Sequence, residues 1–229
     1  MSEYQNDQEL FSLMRQELFP AIVGDVLDRI GYLLQFLPPY IQPLRDDMIV
    51  VGRAMPVLIA DYLSVQPAGH SEVGLKPYGL LFEALDDLKE NEVFITAGGS
   101  PNYALWGELL STRAIWLKAA GAVLDGYSRD TPGILRLDFP TFARGRFAQD
   151  QGARGKVIDY RIPIDIGRVR IKPGDIIFGD LDGVLVIPQE VERTAIQTAL
   201  DKMRTENLVR RSIEDGMSAA AAFEKYGVM

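Results

Sequence analysis

The sequence predicts one α/β domain over residues 1–229, with mixed sheets and helices at its C-terminal end. Three observations predict this class. Helical and strand-like segments alternate up to Pro132, short Val/Ile-rich segments separated by tight turns follow up to Ile187, and a long helical pattern comes last. No repeat or linker divides the chain. A hydrophobic fraction of 47% is sufficient for one sizeable core.

The N-terminal half begins with two amphipathic helical patterns and continues through alternating elements. Helices are predicted over residues 7–17, 21–31 and 80–88. Strands are predicted over 48–61, with a bend at Gly52 or Pro56, and over 93–96. Residues 38–43 form a proline-rich extended crossing, and residues 62–76 form a loop. The loop contains His70, the single histidine, for which both a proton-transfer role and a packing role stay open.

The segment from Gly98 to Pro132 is the one around which we expect a site to form. A glycine-rich turn leads into an apolar helix that is predicted to begin near Trp106 and to end at Gly121. A short strand over residues 122–124 follows, and charged side chains come after its carboxyl end. Open α/β sheets bind ligands at the carboxyl ends of strands, and helix N-termini attract anions. We therefore expect this segment to hold a metal ion and a small carboxylate.

The C-terminal half is predicted to be rich in strands and to end in helices. We expect an irregular edge over 135–142, a basic loop over 144–156, strands over 157–166, 169–171, 176–178 and 184–187, and helices over 188–212 and 217–226. The turns at 172–175 and 179–183 are rich in Asp and Gly. Tight hairpins require these residue types, so we interpret both turns as structural rather than metal-binding.

Composition excludes several functional classes. A net charge of −8 argues against broad binding to nucleic acids or anionic membranes, which needs clustered Lys and Arg. The absence of cysteine excludes disulfides, thiolate catalysis, zinc fingers and iron–sulfur clusters, and a single histidine excludes a His-rich metal site. A metal is therefore expected to have oxygen ligands, which favours Mg²⁺, Mn²⁺ or Ca²⁺. The polar N-terminus and the lack of a long apolar run predict a cytoplasmic protein.

Arg129 and Asp130 are the first candidates for chemistry. An Asp carboxylate is a hard ligand for Mg²⁺, and a neighbouring Arg can hold a substrate carboxylate through two hydrogen bonds. Together they would fix a 2-oxo acid. The alternative is an ordinary ion pair at a strand end, which is common and usually weak.

Glu108 and the backbone around it are the second candidates. In the first turn of a helix, a carboxylate can act on a metal through water or orient a water that carries a proton. It can also be only a favourable charge at a helix N-terminus. The backbone N–H groups of Gly107, Glu108, Leu109 and Leu110 are candidates to bind a carboxylate or an enolate oxygen.

Several segments of the chain match a known pattern when they are taken together. They are Gly24–Asp28, Val51–Ala54, Trp106–Leu110, Asp125–Asp130, and Pro173–Asp175 with Gly179–Val184. With these segments in this order, the chain resembles the family that contains the class II 4-hydroxy-4-methyl-2-oxoglutarate aldolases and the RraA-type regulators of ribonuclease E. The resemblance implies a swivelling β/β/α fold of the phosphohistidine-domain type. It also implies homotrimers or homohexamers with sites between subunits.

The resemblance further implies roles for the candidate residues. Asp130 is expected to bind Mg²⁺ or Mn²⁺ directly, Arg129 to hold the carboxylate of a pyruvyl group, and Glu108 to act through metal-bound water. The backbone from Gly107 to Leu110 is expected to contact the substrate. In the family's aldolases an acidic residue of a neighbouring subunit can complete the site. The candidates for that residue are Glu190, Glu192, Glu206 and Glu214.

The implied function is a metal-dependent carbon–carbon lyase that cleaves a small 4-hydroxy-2-oxo acid to give pyruvate. Oxaloacetate decarboxylation is an expected side activity because it needs the same enolate. Two alternatives stay open. One is a non-catalytic regulator that binds a ribonuclease, a class expected to lack part of the acidic set. The other is a related lyase acting on a sugar acid.

Overall fold

The structure is a computed structural model, and it describes residues 4–64 and 71–227. The described helices are α1 (Asp7–Glu17), α2 (Pro20–Arg29), α3 (Glu72–Leu75), α4 (Leu81–Asp86), α5 (Glu108–Trp116), α6 (Thr131–Leu137), α7 (Glu192–Glu214) and α8 (Ala219–Tyr226). The described strands are β1 (Gln42–Pro43), β2 (Val50–Asp61), β3 (Glu92–Ala97), β4 (Ala104–Trp106), β5 (Gly121–Leu124), β6 (Tyr127–Ser128), β7 (Thr141–Ala143), β8 (Gly145–Arg146), β9 (Gly155–Tyr160), β10 (Ile164–Ile166), β11 (Val169–Ile171), β12 (Ile176–Asp180) and β13 (Gly183–Ile187).

A mixed eight-stranded sheet forms the centre of this α/β fold, in the order β1-β7-β5-β3-β2-β12-β13, with β9 also paired to β2. The pairs β2–β3, β3–β5 and β5–β7 are parallel, and β12 and β9 pair with successive halves of β2 in antiparallel fashion. Strand β2 is therefore hydrogen-bonded along both edges, which is why most of its residues are buried and its sequence is almost continuously apolar.

The two predicted strand segments around Gly52 and Pro56 form one continuous strand, β2. The irregularity lies further along, where the register with β9 shifts between Leu58 and Ile59. β12 and β9 share the long strand because they pair with separate stretches of it, Val50–Arg53 and Val57–Asp61.

Two apolar clusters hold helices against this sheet. The larger one surrounds the parallel strands and includes Phe94, Phe142 and Trp106. The second lies between α1, α2 and α7 and the outer strands, with Phe11 and Leu27 completely buried. The C-terminal helical pattern thus packs on the sheet, as the fold class predicts. It begins at Glu192 rather than at residue 188, since residues 188–191 form a turn.

Helix α5 differs from its predicted span at both ends. Trp106 belongs to β4, and the helix runs from Glu108 to Trp116 instead of reaching Gly121. Lys118 adopts a left-handed conformation (φ 59°), which ends the helix early, and Gly121 is the first residue of β5.

Two other segments are more regular than the sequence indicates. Residues 131–137 form α6, with Pro132 in its first turn, where a proline is tolerated, and β7 follows at 141–143. The basic loop contains β8 and the first residues of β9.

His70 lies outside the described residues. No helix within 4–64 or 71–227 is both long enough and apolar enough to cross a membrane.

Candidate active site

The candidate site forms where the short parallel sheet β4-β6-β8 meets the starts of two helices. Strands β4 and β6 lie side by side, and Arg129 N donates a 2.9 Å hydrogen bond to Trp106 O. Gly107 is the N-cap of α5, and Asp130 is the N-cap of α6. The parallel pairing therefore brings two strand ends and two helix N-termini, about twenty residues apart in sequence, to the same place.

Asp130 is held in an unusual backbone conformation beside Gly107. Its φ of 55° and ψ of 30° are left-handed, which Asp tolerates better than most residues. A Cβ built on Gly107 would lie 2.7 Å from Asp130 Oδ2, so the carboxylate is in contact with a bare Cα. The side chain is 48% exposed, and Arg129 Nε lies 3.7 Å from Oδ2. The carboxylate is therefore open on one side to a ligand.

Glu108 lies at the start of α5 and its side chain packs on α6. A Cβ built on Gly133 would come 2.2 Å from Glu108 Cδ, so this carboxylate also lies against a glycine. Arg136 Nη2 is 3.5 Å from Glu108 Oε1. Glu108 is thus oriented by the α5–α6 contact, and it lies beside the cavity described below rather than in its wall.

The guanidinium of Arg129 is positioned by Asp150, which the sequence analysis missed. Arg129 Nη1 lies 3.0 Å from Asp150 Oδ1. Asp150 Oδ2 accepts a 2.9 Å hydrogen bond from Gly152 N and a 3.4 Å hydrogen bond from the Tyr78 hydroxyl. The only sequence signal for Asp150 was an acidic residue within a segment rich in arginine.

Tyr78 is the titratable group of the site with a clearly perturbed environment. Burial raises the pKa of its hydroxyl above the ordinary value, and the negative charge of Asp150 and the hydrogen bond to it raise the pKa further. Arg129 acts in the opposite direction. Tyr78 therefore stays protonated and can donate a hydrogen bond at neutral pH.

A cavity of about 190 Å³ opens between α4, β4 and α5. One end is polar and contains Arg129, Asp130 and Asp150, and the amide of Gln151 borders it. The remaining lining residues are mostly apolar: Tyr78, Leu81, Phe82, Ala104, Leu105, Trp106 and Leu110. Gly107 and Leu109 also border the cavity, although the Leu109 side chain is 82% exposed.

The predicted site residues are thus brought together at one cavity, with Glu108 next to it. The backbone N–H groups of Glu108, Leu109 and Leu110 are in the first turn of α5, where a helix has no internal acceptor for them; the first internal bond there runs from Ser111 N to Gly107 O. An anion or an enolate oxygen can take these donors.

The donor set fits a Mg²⁺ or Mn²⁺ site that rests on one protein carboxylate. Among the residues that the structure describes, no three His, Asp or Glu side chains form a metal-binding group. Mg²⁺ commonly keeps several waters and uses one or two carboxylates. Asp130, half exposed and bordered by a bare glycine Cα, suits that arrangement.

Three of the acidic residues considered for a neighbouring subunit already have partners within the chain. Glu192 accepts two hydrogen bonds from Arg53. Glu190 lies 3.5 Å from Lys172 Nζ, and Glu206 lies 3.5 Å from Lys202 Nζ.

The turn at 179–183 is a hairpin turn, as predicted, because it joins the paired strands β12 and β13. The turn at 172–175 is not a hairpin turn, because β11 pairs with β10 rather than with β12. There Asp175 is buried and accepts hydrogen bonds from Lys172 N and Gln189 N.

Comparisons of the whole chain with known proteins point to one family. Residues 21–186 match the family model described as RraA-like, Aldolase/RraA. A protein of Halalkalibacterium halodurans named "Putative 4-hydroxy-4-methyl-2-oxoglutarate aldolase" is 33% identical over 203 residues, which cover 88% of this chain and 87% of the relative.

Solved structures show the same fold. A protein of Pseudomonas syringae superposes with a TM-score of 0.83 at 24% identity, covering 99% of this chain and 98% of its own. Streptomyces coelicolor RraAS2, described as an unusual member of the RNase ES inhibitor RraA family, superposes with a TM-score of 0.75 at 22% identity, covering 91% of this chain and 98% of its own.

Proposed function

This chain belongs to the Aldolase/RraA family, and from that premise we propose that it is a divalent-metal-dependent carbon–carbon lyase. Its substrate is a 4-hydroxy-2-oxo acid, its product is pyruvate, and oxaloacetate decarboxylation is a side activity. The observation that carries the proposal is the placement of the Asp130 carboxylate against Gly107 at the N-terminus of α5, with Arg129 and Glu108 beside it.

Arg129 binds the substrate carboxylate. Asp150 engages Nη1, which leaves the other donors of the guanidinium for the ligand. Asp130 would hold the Mg²⁺ or Mn²⁺ ion, which when bound polarises the 2-oxo group and stabilises negative charge on it. The N–H groups of Glu108, Leu109 and Leu110 in the first turn of α5 contribute further hydrogen bonds to developing oxyanions.

Glu108 removes the proton of the C4 hydroxyl, either directly or through a water that it orients. The C4–O bond becomes a carbonyl, the C3–C4 bond breaks, and its electron pair passes to C3 to give the enolate of pyruvate. A proton then adds to C3, and pyruvate and the carbonyl fragment leave. In oxaloacetate decarboxylation the C3–C4 bond breaks as C4 leaves as CO₂, and its electron pair gives the same pyruvate enolate.

A purified-enzyme assay tests the proposal. With Mg²⁺ or Mn²⁺, the protein should release pyruvate from 4-hydroxy-2-oxoglutarate and decarboxylate oxaloacetate, and a chelator should stop both reactions. Asp130→Ala should abolish the metal-dependent activity while the thermal unfolding curve stays cooperative. Activity retained by the variant, or absent from the wild type with either metal, contradicts the assignment.

A regulator that binds a ribonuclease is the second candidate, since RraA-type inhibitors share the fold. Such a function predicts partner binding that neither a chelator nor Asp130→Ala changes. The complete set of Glu108, Arg129 and Asp130 favours the enzyme.

A lyase acting on a sugar acid uses the same residues and differs in the group carried on C4. We also propose a homotrimer or homohexamer in the cytoplasm.

A further inference from the structure

The proposed reaction needs a proton at C3 after the carbon–carbon bond has broken, whereas Glu108 is assigned to the opposite task of removing a proton. The Glu108 side chain packs on α6 and lies beside the cavity rather than in its wall. Oxaloacetate, moreover, has no C4 hydroxyl from which Glu108 could take a proton. A proton donor for C3 is therefore expected on the cavity wall itself.

Tyr78 presents a hydroxyl at the polar end of this wall, which it lines together with Arg129 and Asp150. The hydroxyl donates to Asp150 Oδ2 over 3.4 Å, a long contact that a ligand can replace. Asp150 Oδ1 in turn lies 3.0 Å from Arg129 Nη1, so one carboxylate separates the hydroxyl from the guanidinium that binds the substrate. In a 2-oxo acid a single carbon separates C3 from the carboxylate. C3 of the bound substrate therefore belongs to the same end of the cavity as the Tyr78 hydroxyl.

The backbone of Tyr78 is fixed by strand β9. Val157 N donates to Tyr78 O at 3.1 Å, and Leu80 N donates to Val157 O at 2.9 Å. Gly79 lies between them with a φ of 65°, and a Cβ built on it would come 2.1 Å from Val157 O, so glycine is required there. The Tyr78 ring meets the Phe82 ring edge to face at 5.5 Å between centroids. The position of the hydroxyl is thus set before a substrate binds.

The surroundings of Tyr78 suit an acid that is protonated at rest. Burial is the main cause that raises the pKa of its hydroxyl, and the charge of Asp150 and the hydrogen bond to Asp150 raise the pKa further. Arg129 acts to lower the pKa, because its positive charge stabilises the phenolate that remains after proton transfer. A phenol is also a much stronger acid than a C–H bond next to a ketone, so proton transfer to the enolate is favourable.

The N–H groups that this chain places at the wall are less suited to give a proton to carbon. Arg129 does not lose its proton in proteins, and the Gln151 side chain is an amide that does not ionise. Trp106 Nε1 donates its hydrogen to Ser111 Oγ at 2.7 Å. Tyr78 thus combines a transferable proton with a position at the polar end.

Resting on the proposed function, we propose that Tyr78 is a catalytic residue that protonates C3 of the pyruvate enolate. The electron pair of the C2–C3 double bond takes the hydroxyl proton and forms the C3–H bond, and the C2–O bond becomes a carbonyl. The Tyr78 phenolate then takes a proton from water. In cleavage of a 4-hydroxy-2-oxo acid, the proton that Glu108 removed returns to solvent, so no net proton is consumed.

Exchange of the methyl hydrogens of pyruvate in heavy water tests this step. By microscopic reversibility the same oxygen removes a C3 proton from bound pyruvate, and exchange of the phenolic hydrogen with solvent brings deuterium to C3. Loss of the methyl signal is followed by ¹H NMR with the Mg²⁺-loaded protein, and the rate with Mg²⁺ alone is subtracted. Tyr78→Phe keeps the ring and should lower the exchange rate at least about 10²-fold.

Two further measurements separate proton transfer from a positioning role through Asp150. The Kd of Tyr78→Phe for pyruvate should change less than about threefold, because the hydrogen bond that it loses is a long one. Disappearance of oxaloacetate should fall by a smaller factor than exchange does, since the C3–C4 bond breaks before C3 is protonated. Tyr32→Phe removes a phenol from the other apolar cluster and should leave the exchange rate unchanged.

The outcomes distinguish this inference from the lyase proposal. Wild-type protein that binds pyruvate with Mg²⁺ but exchanges no methyl hydrogen forms no enolate, which overturns both. Wild-type exchange that Tyr78→Phe leaves intact overturns only the role of Tyr78. A variant in which pyruvate binding, exchange and oxaloacetate consumption all weaken by the same factor assigns Tyr78 to positioning Asp150 and also overturns the inference.

Discussion

The carboxylate of Asp130 lies in contact with the Cα of Gly107. A Cβ on Gly107 would come 2.7 Å from Asp130 Oδ2, closer than non-bonded atoms tolerate. Gly107 has extended torsions (φ −158°, ψ −176°) that any residue can adopt. Glycine is therefore needed here for space, not for conformation. The bare Cα lets the carboxylate that we propose as the metal ligand lie next to the N-terminus of α5.

Gly107→Ala should displace the Asp130 carboxylate with little effect on the backbone. We expect the affinity for Mn²⁺ to fall about tenfold or more, because small shifts around a ligand have effects of this size. Titration followed by the electron paramagnetic resonance of free Mn²⁺ measures this. In an Asp130→Ala background the clash is absent, so Gly107→Ala should not lower the melting temperature further. Unchanged Mn²⁺ affinity in the single variant would contradict the role of this contact.

Glu108→Gln should remove the base while it preserves the shape of the side chain. We expect kcat for cleavage of a 4-hydroxy-2-oxo acid to fall about 10²- to 10⁴-fold, the usual contribution of a general base. The Kd for pyruvate should change little, because Arg129 and Asp130 remain. Steady-state kinetics and pyruvate titration together measure this separation. A parallel loss of pyruvate binding would mean that Glu108 acts in binding instead.

Two variants on α6 serve as controls for Glu108. Arg136 is 70% exposed and its 3.5 Å pair with Glu108 is at the surface, so Arg136→Ala should change kcat less than about threefold. Gly133→Ala introduces a Cβ only 2.2 Å from the present position of Glu108 Cδ. It should therefore lower kcat as Glu108→Gln does, while the protein still folds because the flexible Glu108 side chain can move. A normal kcat in Gly133→Ala would show that the position of this carboxylate is not important.

Asp150→Asn should weaken the positioning of Arg129. The ion pair at 3.0 Å fixes the guanidinium, and its loss should raise the Kd for pyruvate about three- to tenfold with a smaller change in kcat at saturation. Tyr78→Phe removes only the 3.4 Å hydroxyl contact to Asp150 and should have a smaller effect on the Kd. A lower Kd in Asp150→Asn would instead show that Asp150 competes with the substrate for Arg129.

Asp61→Asn should change how stability depends on pH. Asp61 Oδ1 accepts hydrogen bonds of 2.8 Å from Ser100 N and from the Tyr103 hydroxyl, anchoring the turn that leads into β4. The backbone hydrogen bond from Ser100 is the main cause that lowers the pKa of Asp61 below its ordinary 3.8, and Tyr103 adds to it. Because the folded-state pKa is depressed, the stabilisation is present above the unfolded-state pKa and is lost as the pH falls through the folded-state value.

Urea unfolding at a series of pH values measures this effect. The difference in the free energy of unfolding between wild type and Asp61→Asn should be largest above about pH 4 and should shrink as the pH falls towards 2. Asp201→Asn, on the exposed face of α7, controls for the loss of one negative charge. A difference that does not depend on pH would contradict the role of the Asp61 carboxylate.

Local sequence signals were sufficient for much of the fold and for the centre of the site. The spacing of apolar residues predicted α1, α2 and the C-terminal helices, and runs of Val and Ile predicted most central strands. Glu108, Arg129 and Asp130 were identifiable because they occur in short segments at element ends. Errors arose where neighbours in space decide the outcome, as at α5, where the left-handed Lys118 ends the helix before Gly121.

The sequence by itself determined the residue types of the site and the class of the fold, because both are written in local patterns of polarity, glycine and charge. Only the tertiary structure decided which residues surround Arg129 and Asp130. Tyr78 and Asp150 are 72 positions apart and join the site through β-sheet pairing and loop packing. The contact between Gly107 and Asp130 is also tertiary, because it depends on the pairing of β4 with β6. No periodic pattern records such contacts, since they link segments far apart in the chain.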